Sequence, residues 1–204
     1  ENNLYQLFKN DSKKLSKIKN EENEEYYKFL CQDQKKDIID NDILAKAVER
    51  VKQIKSNKNV MSLLEDNVTD FELDPLESYN EKYLECELND YVFGLKGYID
   101  RYTIDHESKE ITVIDFKTTS KGLDKFAETV DFYNYWIQAV IYITLVIKSS
   151  KKDITNYKIN FNFVVVDNYN QVYVFDVSKE TLNTWFNGLE QILKEANYHY
   201  IKRD

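Results

Sequence analysis

From residue 26 to about 56 the apolar positions Phe29, Leu30, Ile38, Ile39, Ile43, Leu44, Ala47, Val48, Val51 and Ile54 recur at three- and four-residue steps, the period of amphipathic helices. Asp40 or Asn41 stands where a second helix would be capped, and Lys46, Arg50, Lys52 and Lys55 then fall largely on its outer side. Another short helical turn is predicted at 60–64, followed by an acidic stretch, 65–77, that holds the only proline, Pro75. Beyond it the period falls to two. Residues 81–88 place Glu85 and Glu87 on one face and Leu84, Cys86 and Leu88 on the other. Two further strands are predicted at 92–102 and 111–117, joined by the polar run His106, Glu107, Ser108 and Lys109. In the second of these, Ile111, Val113 and Asp115 share one face, and Thr112, Ile114 and Phe116 the other. Apolar residues on both faces mark a central strand.

The remaining pattern predicts one long helix over 124–147 and a hairpin of 157–166 with 171–177 around Asp167-Asn168-Tyr169-Asn170. A last helix follows, capped by Ser178 and running to about 196. The order helix, helix, three strands, helix, two strands, helix implies a mixed β-sheet flanked by helices, of the α/β or α+β class. Residues 1–25 are rich in Asn, Lys and Glu, and Leu4, Leu7, Phe8, Leu15 and Ile18 suggest a short amphipathic helix there. The 204 residues suit a single domain, 1–204, with a helical N-terminal part at about 1–64. The missing initiator Met suggests trimming or a fragment of a longer protein.

Composition narrows the function. No apolar run approaches the length of a membrane span, and the first residues lack the apolar core of a signal peptide, so a cytoplasmic protein is expected. Cys31 and Cys86 have no metal-type spacing and read as buried, reduced thiols. The net charge of −8 argues against indiscriminate polyanion binding, so any nucleic-acid surface must come from local clusters.

The chemistry concentrates in the middle strands. Asp115 and Lys117 share a face, and the hairpin-like connection brings Asp100 beside Asp115. Hard divalent cations such as Mg²⁺ bind through one or two carboxylates plus substrate phosphate oxygens, while an adjacent ammonium steadies developing negative charge. Asp100 followed by Asp115-Phe116-Lys117 resembles the D…(D/E)xK signature of the PD-(D/E)XK nuclease superfamily. Gly97-Tyr98-Ile99-Asp100-Arg101, Ile114-Asp115-Phe116-Lys117-Thr118-Thr119 and Gln138-Ala139-Val140-Ile141-Tyr142 are similar to segments of its RecB-like and phage RecE-type exonuclease branch.

That resemblance implies a restriction-endonuclease-like fold and a Mg²⁺- or Mn²⁺-dependent deoxyribonuclease, an exonuclease acting on DNA ends in recombination or repair, bacterial or phage-encoded. It implies Asp100, Asp115, the carbonyl of Phe116 and Glu85, with Glu87 in reserve, as metal ligands. Lys117 would position water or stabilise the transition state. Gln138 and Tyr142, one turn apart, would support the site, although a buried amide and phenol satisfying each other is the reading of the residues alone. Thr118 and Thr119 suit phosphate contacts, and Arg101 a phosphate or an ion-pair partner. Tyr133, Tyr135 and Trp136 could stack an unpaired base or pack in the core.

The chain departs from relatives that carry a histidine on an early helix, since its two are His106 in the turn and His199 near the C-terminus. Two alternatives remain: a non-catalytic nucleic-acid-binding or assembly module on the same fold, and the nuclease part of a larger helicase–nuclease or recombination assembly. A homo-oligomer is a further option. No P-loop is present, so any motor lies elsewhere.

Overall fold

The computed structural model describes residues 40–65 and 75–202. The chain divides into two compact units, Glu1–Ala45 and Lys46–Asp204, and of the first only 40–45 are described. The helix expected within 1–25, the first helical residues after 26, and Cys31 lie outside the described residues.

Helix α1, Asn41–Ser56, starts at Asp40, whose carboxylate accepts the Asp42 amide at 2.7 Å. Lys46, Lys52 and Lys55 are exposed along it and Arg50 is half-buried. Helix α2, Lys58–Leu64, begins at Asn57, whose side-chain oxygen accepts from the amides of Asn59 and Val60. These carboxylate and amide oxygens meet N–H groups that the first helical turn leaves without partners.

Five strands form one sheet in the order β1 (Leu76–Glu87), β2 (Gly94–Asp105), β3 (Glu110–Thr118), β4 (Lys158–Val166) and β5 (Val172–Asp176). All neighbours are antiparallel except β3 and β4, which run parallel. The sheet is therefore mixed, with β3 at its centre. Strand β1 starts five residues earlier than its pattern predicts, because its first residues are polar and lie at a sheet edge, where no second sheet face demands alternation.

The segment expected as one long helix is broken. A short 3₁₀ turn, Leu123–Lys125, leads into α3, Phe126–Phe132, and α4, Tyr135–Ser149, follows after a 75° bend. Asn134 makes the break with φ 54° and ψ 35°, a left-handed conformation that Asn tolerates better than most residues. The amide of Asn134 donates to the Asp131 carbonyl and its own carbonyl accepts the Ile137 amide, so the bend is hydrogen-bonded. The last helix, α5, Lys179–Ile201, is capped by Ser178 as expected and runs about a turn further than predicted. Among the described residues no single helix is long and apolar enough to cross a membrane, and the apolar residues of α4 belong to the protein core.

Helix α4 covers one face of the sheet, packing Ala139, Ile143 and Val146 with Ile99, Val113, Phe161, Phe163 and Val165. On the other face Val60 of α2 packs on Ile114 and Val164, all fully buried. Each such side chain contributes about 2 kcal/mol of transfer free energy, so both faces of β3 are held.

The alternation of β2 slips by one in its middle. Leu95, Gly97 and Ile99 face α4, and so do Tyr102 and Ile104, so the phase shifts at Asp100–Arg101. On β1, Leu84 and Cys86 face α4, and beyond the slip Tyr79 does. The pairs Asn80↔Arg101 and Lys82↔Ile99 flank the slip, and Glu81 opposite Asp100 adopts φ 47°. A left-handed non-glycine residue in mid-strand is strained, and such positions gather at functional sites.

Candidate active site

Asp100, Asp115, Lys117, Gln138 and Tyr142 meet where β2 and β3 diverge beneath the first turns of α4. Pairing between the two strands ends at Arg101↔Ile114, and Asp100 turns its carboxylate into the gap, where Oδ2 accepts the Phe116 amide at 2.7 Å. That bond replaces the ladder partner the amide has lost. Asp115 lies opposite, on the face toward α4, and is 1% exposed. Lys117 Nζ sits 2.6 Å from Asp115 Oδ2 and donates to Gln138 Oε1 at 2.7 Å. Gln138 Nε2 in turn donates to the Tyr142 hydroxyl at 2.6 Å. The ring of Tyr135, at the start of α4, has the same ammonium 4.6 Å from its centroid.

The backbone of α4 comes close enough for this chain of contacts because residue 97 is glycine. A Cβ there would stand 3.2 Å from Tyr142 Cε1 and 3.4 Å from Leu145 Cδ1. Glycine at the start of the Gly97–Arg101 segment is thus a matter of close approach.

Electrostatics agree with a cation site. Burial pushes the Asp115 carboxyl up to about 6, with the neighbouring Asp100 charge adding to it and Lys117 opposing it. Both Asp115 oxygens are buried; Oδ2 pairs with the Lys117 ammonium, and Oδ1 has no hydrogen-bond partner. A buried carboxylate with one unpartnered oxygen, beside a second carboxylate, suits a hard divalent ion. Burial also raises the Tyr142 hydroxyl pKa; the Gln138 hydrogen bond opposes this, and the charges of Asp115, Asp100 and Glu81 add to it. Tyr142 stays a neutral phenol. Among the described residues no group of three or more His, Cys, Asp or Glu side chains converges closely enough to hold an ion unaided. Water and phosphate oxygens would have to complete the shell.

Glu85 does not join this cluster. It is exposed, accepts a hydrogen bond from the Tyr83 hydroxyl at 2.8 Å, and pairs in register with Lys96 near the far end of β1. Glu87 stands further still, opposite Gly94. The acid of β1 that faces Asp100 is Glu81, which the residue pattern alone passes over because only the strand register reveals it. Arg101 is also turned away. It is 5% exposed on the α2 side, where its guanidinium donates to Asn80 Oδ1 at 2.8 Å and to the Leu64 carbonyl at 3.1 Å, a structural clamp rather than a phosphate contact. The slip at Asp100 puts these two neighbours to their different uses.

Thr118 is exposed at the end of β3, whereas Thr119 is buried and its hydroxyl accepts the Lys121 amide at 3.1 Å. Phe116 lies in β3 between Asp115 and Lys117, its amide held by Asp100. Neither histidine is near. His106 bridges Glu77 and Tyr157 at the other end of the sheet, and His199 lies on α5 beside Glu195. Tyr135, read only as a stacking or core residue, is a direct contact of Lys117.

The sequence profile of the PD-(D/E)XK nuclease superfamily matches residues 6–201. No curated protein matches the chain significantly by sequence. A crystal structure of a protein from Eubacterium rectale, provisionally assigned as an exonuclease, superposes with a TM-score of 0.50 at 14% identity, covering 83% of this chain and 58% of that one. The crystal structure of a protein designated SSO0001 superposes with a TM-score of 0.32 at 15% identity, over 74% of this chain and 58% of that one. The chain thus spans less than two thirds of either neighbour.

Proposed function

Since the chain belongs to the PD-(D/E)XK nuclease superfamily, we propose that it is a metal-dependent deoxyribonuclease of the RecB-like or phage RecE-type branch, an exonuclease acting on DNA ends in recombination or repair. The observation that carries this reading is the convergence of Asp100, Asp115 and Lys117, with the lysine amine restrained by Asp115, Gln138 and Tyr135. Members of the superfamily generally use divalent metals, and Asp100 and Asp115 are the carboxylates that would hold Mg²⁺ or Mn²⁺, assisted by the Phe116 carbonyl. When bound, such an ion supplies Lewis-acid chemistry, activating water and screening charge on the phosphoryl group.

The protein's own groups do the rest. Asp100 is fixed by the Phe116 amide, so its position does not depend on the ion. Lys117 offers a positive charge where negative charge grows in the transition state, and its three contacts keep it from swinging into solvent. Gln138 can present only its carbonyl oxygen to Lys117, because its amide group is engaged by Tyr142. A phosphate would reach Lys117 from the end of β3, where the exposed Thr118 follows it and could contact the phosphate oxygens.

Lys117→Ala tests this. The variant should fold as wild type by circular dichroism and lose at least about a hundredfold of Mg²⁺-dependent DNA cleavage, the order seen when a transition-state donor is removed. Cleavage at the wild-type rate would reject the assignment. End-labelled linear DNA beside closed circular DNA distinguishes an exonuclease, which spares the circle, from an endonuclease. A second reading, the nuclease part of a larger assembly, is favoured by the chain's spanning 58% of its structural neighbour, and a solution mass measured with candidate partners separates the two.

A further inference from the structure

A file of aromatic rings leads from Lys117 to the surface. The Tyr135 ring beneath the ammonium stacks on Tyr133, with centroids 5.6 Å apart and planes at 21°. Tyr133 meets Phe132 edge-on at 4.9 Å. Phe132 is 74% exposed and Tyr133 57%. Lys121, in the loop that follows β3, holds its ammonium 5.9 Å from the Phe132 centroid.

Ordinary packing does not account for these two side chains. Helix α3 already buries Phe126 and Val130, and α4 buries its own apolar face, so among the described residues the core draws on neither. The bend at Asn134 is what turns Phe132 and Tyr133 outward. It is a built feature, held by two backbone hydrogen bonds and by the Trp136 indole donating to Asn134 Oδ1 at 3.3 Å. In a straight helix Tyr133, two residues before Tyr135, would point away from it, so the stack of these two rings depends on the bend. The bend gathers three rings and two ammonium groups.

Aromatic faces beside cationic groups suit one kind of ligand chemistry, a nucleobase attached to a phosphate. In a duplex the base faces are hidden against their neighbours, whereas an unpaired base presents both. We infer that Phe132 and Tyr133 form a stacking platform for an unpaired base of a single-stranded DNA end whose adjoining phosphate lies at Lys117, with Lys121 taking a neighbouring phosphate. The inference rests on the proposed nuclease reading for the position of the phosphate and adds to it a preference for frayed or single-stranded ends.

Binding in EDTA, where no cleavage occurs, tests the platform apart from the chemistry. Fluorescence anisotropy would compare a labelled single strand with a blunt duplex of the same sequence, for wild type, Phe132→Ala, Tyr133→Ala and Tyr133→Phe. Each alanine variant should weaken single-strand binding roughly tenfold, at the low end of base–aromatic stacking, with duplex binding changed less than about twofold. Tyr133→Phe should bind as wild type. A single abasic site moved along the strand should weaken wild-type binding at one position by the same factor, and leave the doubly substituted Phe132→Ala/Tyr133→Ala protein unaffected there.

Equal losses on single strand and duplex, an abasic penalty that persists in the double variant, or no single-strand binding by wild type would each overturn the inference. The companion assay is cleavage in Mg²⁺. If wild type cleaves DNA but the alanine variants bind single strands normally, the platform is wrong and the nuclease reading stands. If the platform binds as described yet nothing is cleaved, the reverse holds.

Discussion

Replacing Asp115 by Asn removes a carboxylate that the fold ionises at a cost. The folded carboxyl titrates at about 6 against 3.8 for the ordinary group, because burial and the Asp100 charge outweigh the attraction of Lys117. A raised folded pKa means that the folded chain holds this proton to higher pH than the unfolded chain does. The stability the group contributes is complete below the unfolded pKa and is lost as pH rises through about 6. A shift of about two units at about 1.4 kcal/mol per unit makes the whole loss about 3 kcal/mol, of which about half accrues between about pH 5 and about pH 7.5.

Wild type and Asp115→Asn share every other titrating group, so their difference reports this carboxyl together with its coupling to Asp100. Urea unfolding of both proteins in EDTA should show the variant gaining about 1.5 kcal/mol relative to wild type between about pH 5 and about pH 7.5. Added Mg²⁺ should then raise the unfolding midpoint of wild type and leave the variant unmoved. A difference that stays constant with pH, or one that grows in favour of wild type, would show that Lys117 dominates the site and that the reasoning from burial is wrong.

Other substitutions separate the parts of the site. Gly97→Ala puts a methyl against the Tyr142 ring, so cleavage should fall several-fold while urea unfolding reports a loss of only about 1–2 kcal/mol, typical of mild overpacking. Arg101→Ala should instead lower stability by about 2–3 kcal/mol through its lost charged hydrogen bonds, with the activity per folded molecule kept, as urea titration and rate measurement together would show. Glu85→Ala should alter stability by no more than about 0.5 kcal/mol and leave the Mg²⁺ dependence of cleavage alone, whereas Glu81→Gln should raise the Mg²⁺ concentration needed for half-maximal rate.

What could be read from the residues was whatever a strand or a helix repeats locally. Asp115 and Lys117 share a face because strands alternate, and Gln138 and Tyr142 meet because helices turn every 3.6 residues. Neither inference needs the fold. The acid from β1 did need it, since its place depends on register and on one left-handed residue, and neither Glu81 nor Glu85 differs in type from the other. Arg101 follows Asp100 directly, yet the slip in alternation buries it against α2, which strict period-two reading cannot foresee. The bend at Asn134 escaped for a related reason. Apolar residues continue through it because both flanking helices pack on the same core, and a single left-handed residue leaves no trace in the periodicity.

The parallel pairing of β3 with β4 governs when the site can come into being. Every other strand pair is closed by a short turn, but about forty residues separate β3 from β4, and α4 lies within them. Joining ends that far apart is the slow step of assembly in a domain of this kind. The residues that steady Lys117 ride on that connecting helix, so a nascent or partly folded chain, even with its hairpins in place, carries its acids and its amine uncoordinated. A site wired in this way stays unassembled until the domain is whole.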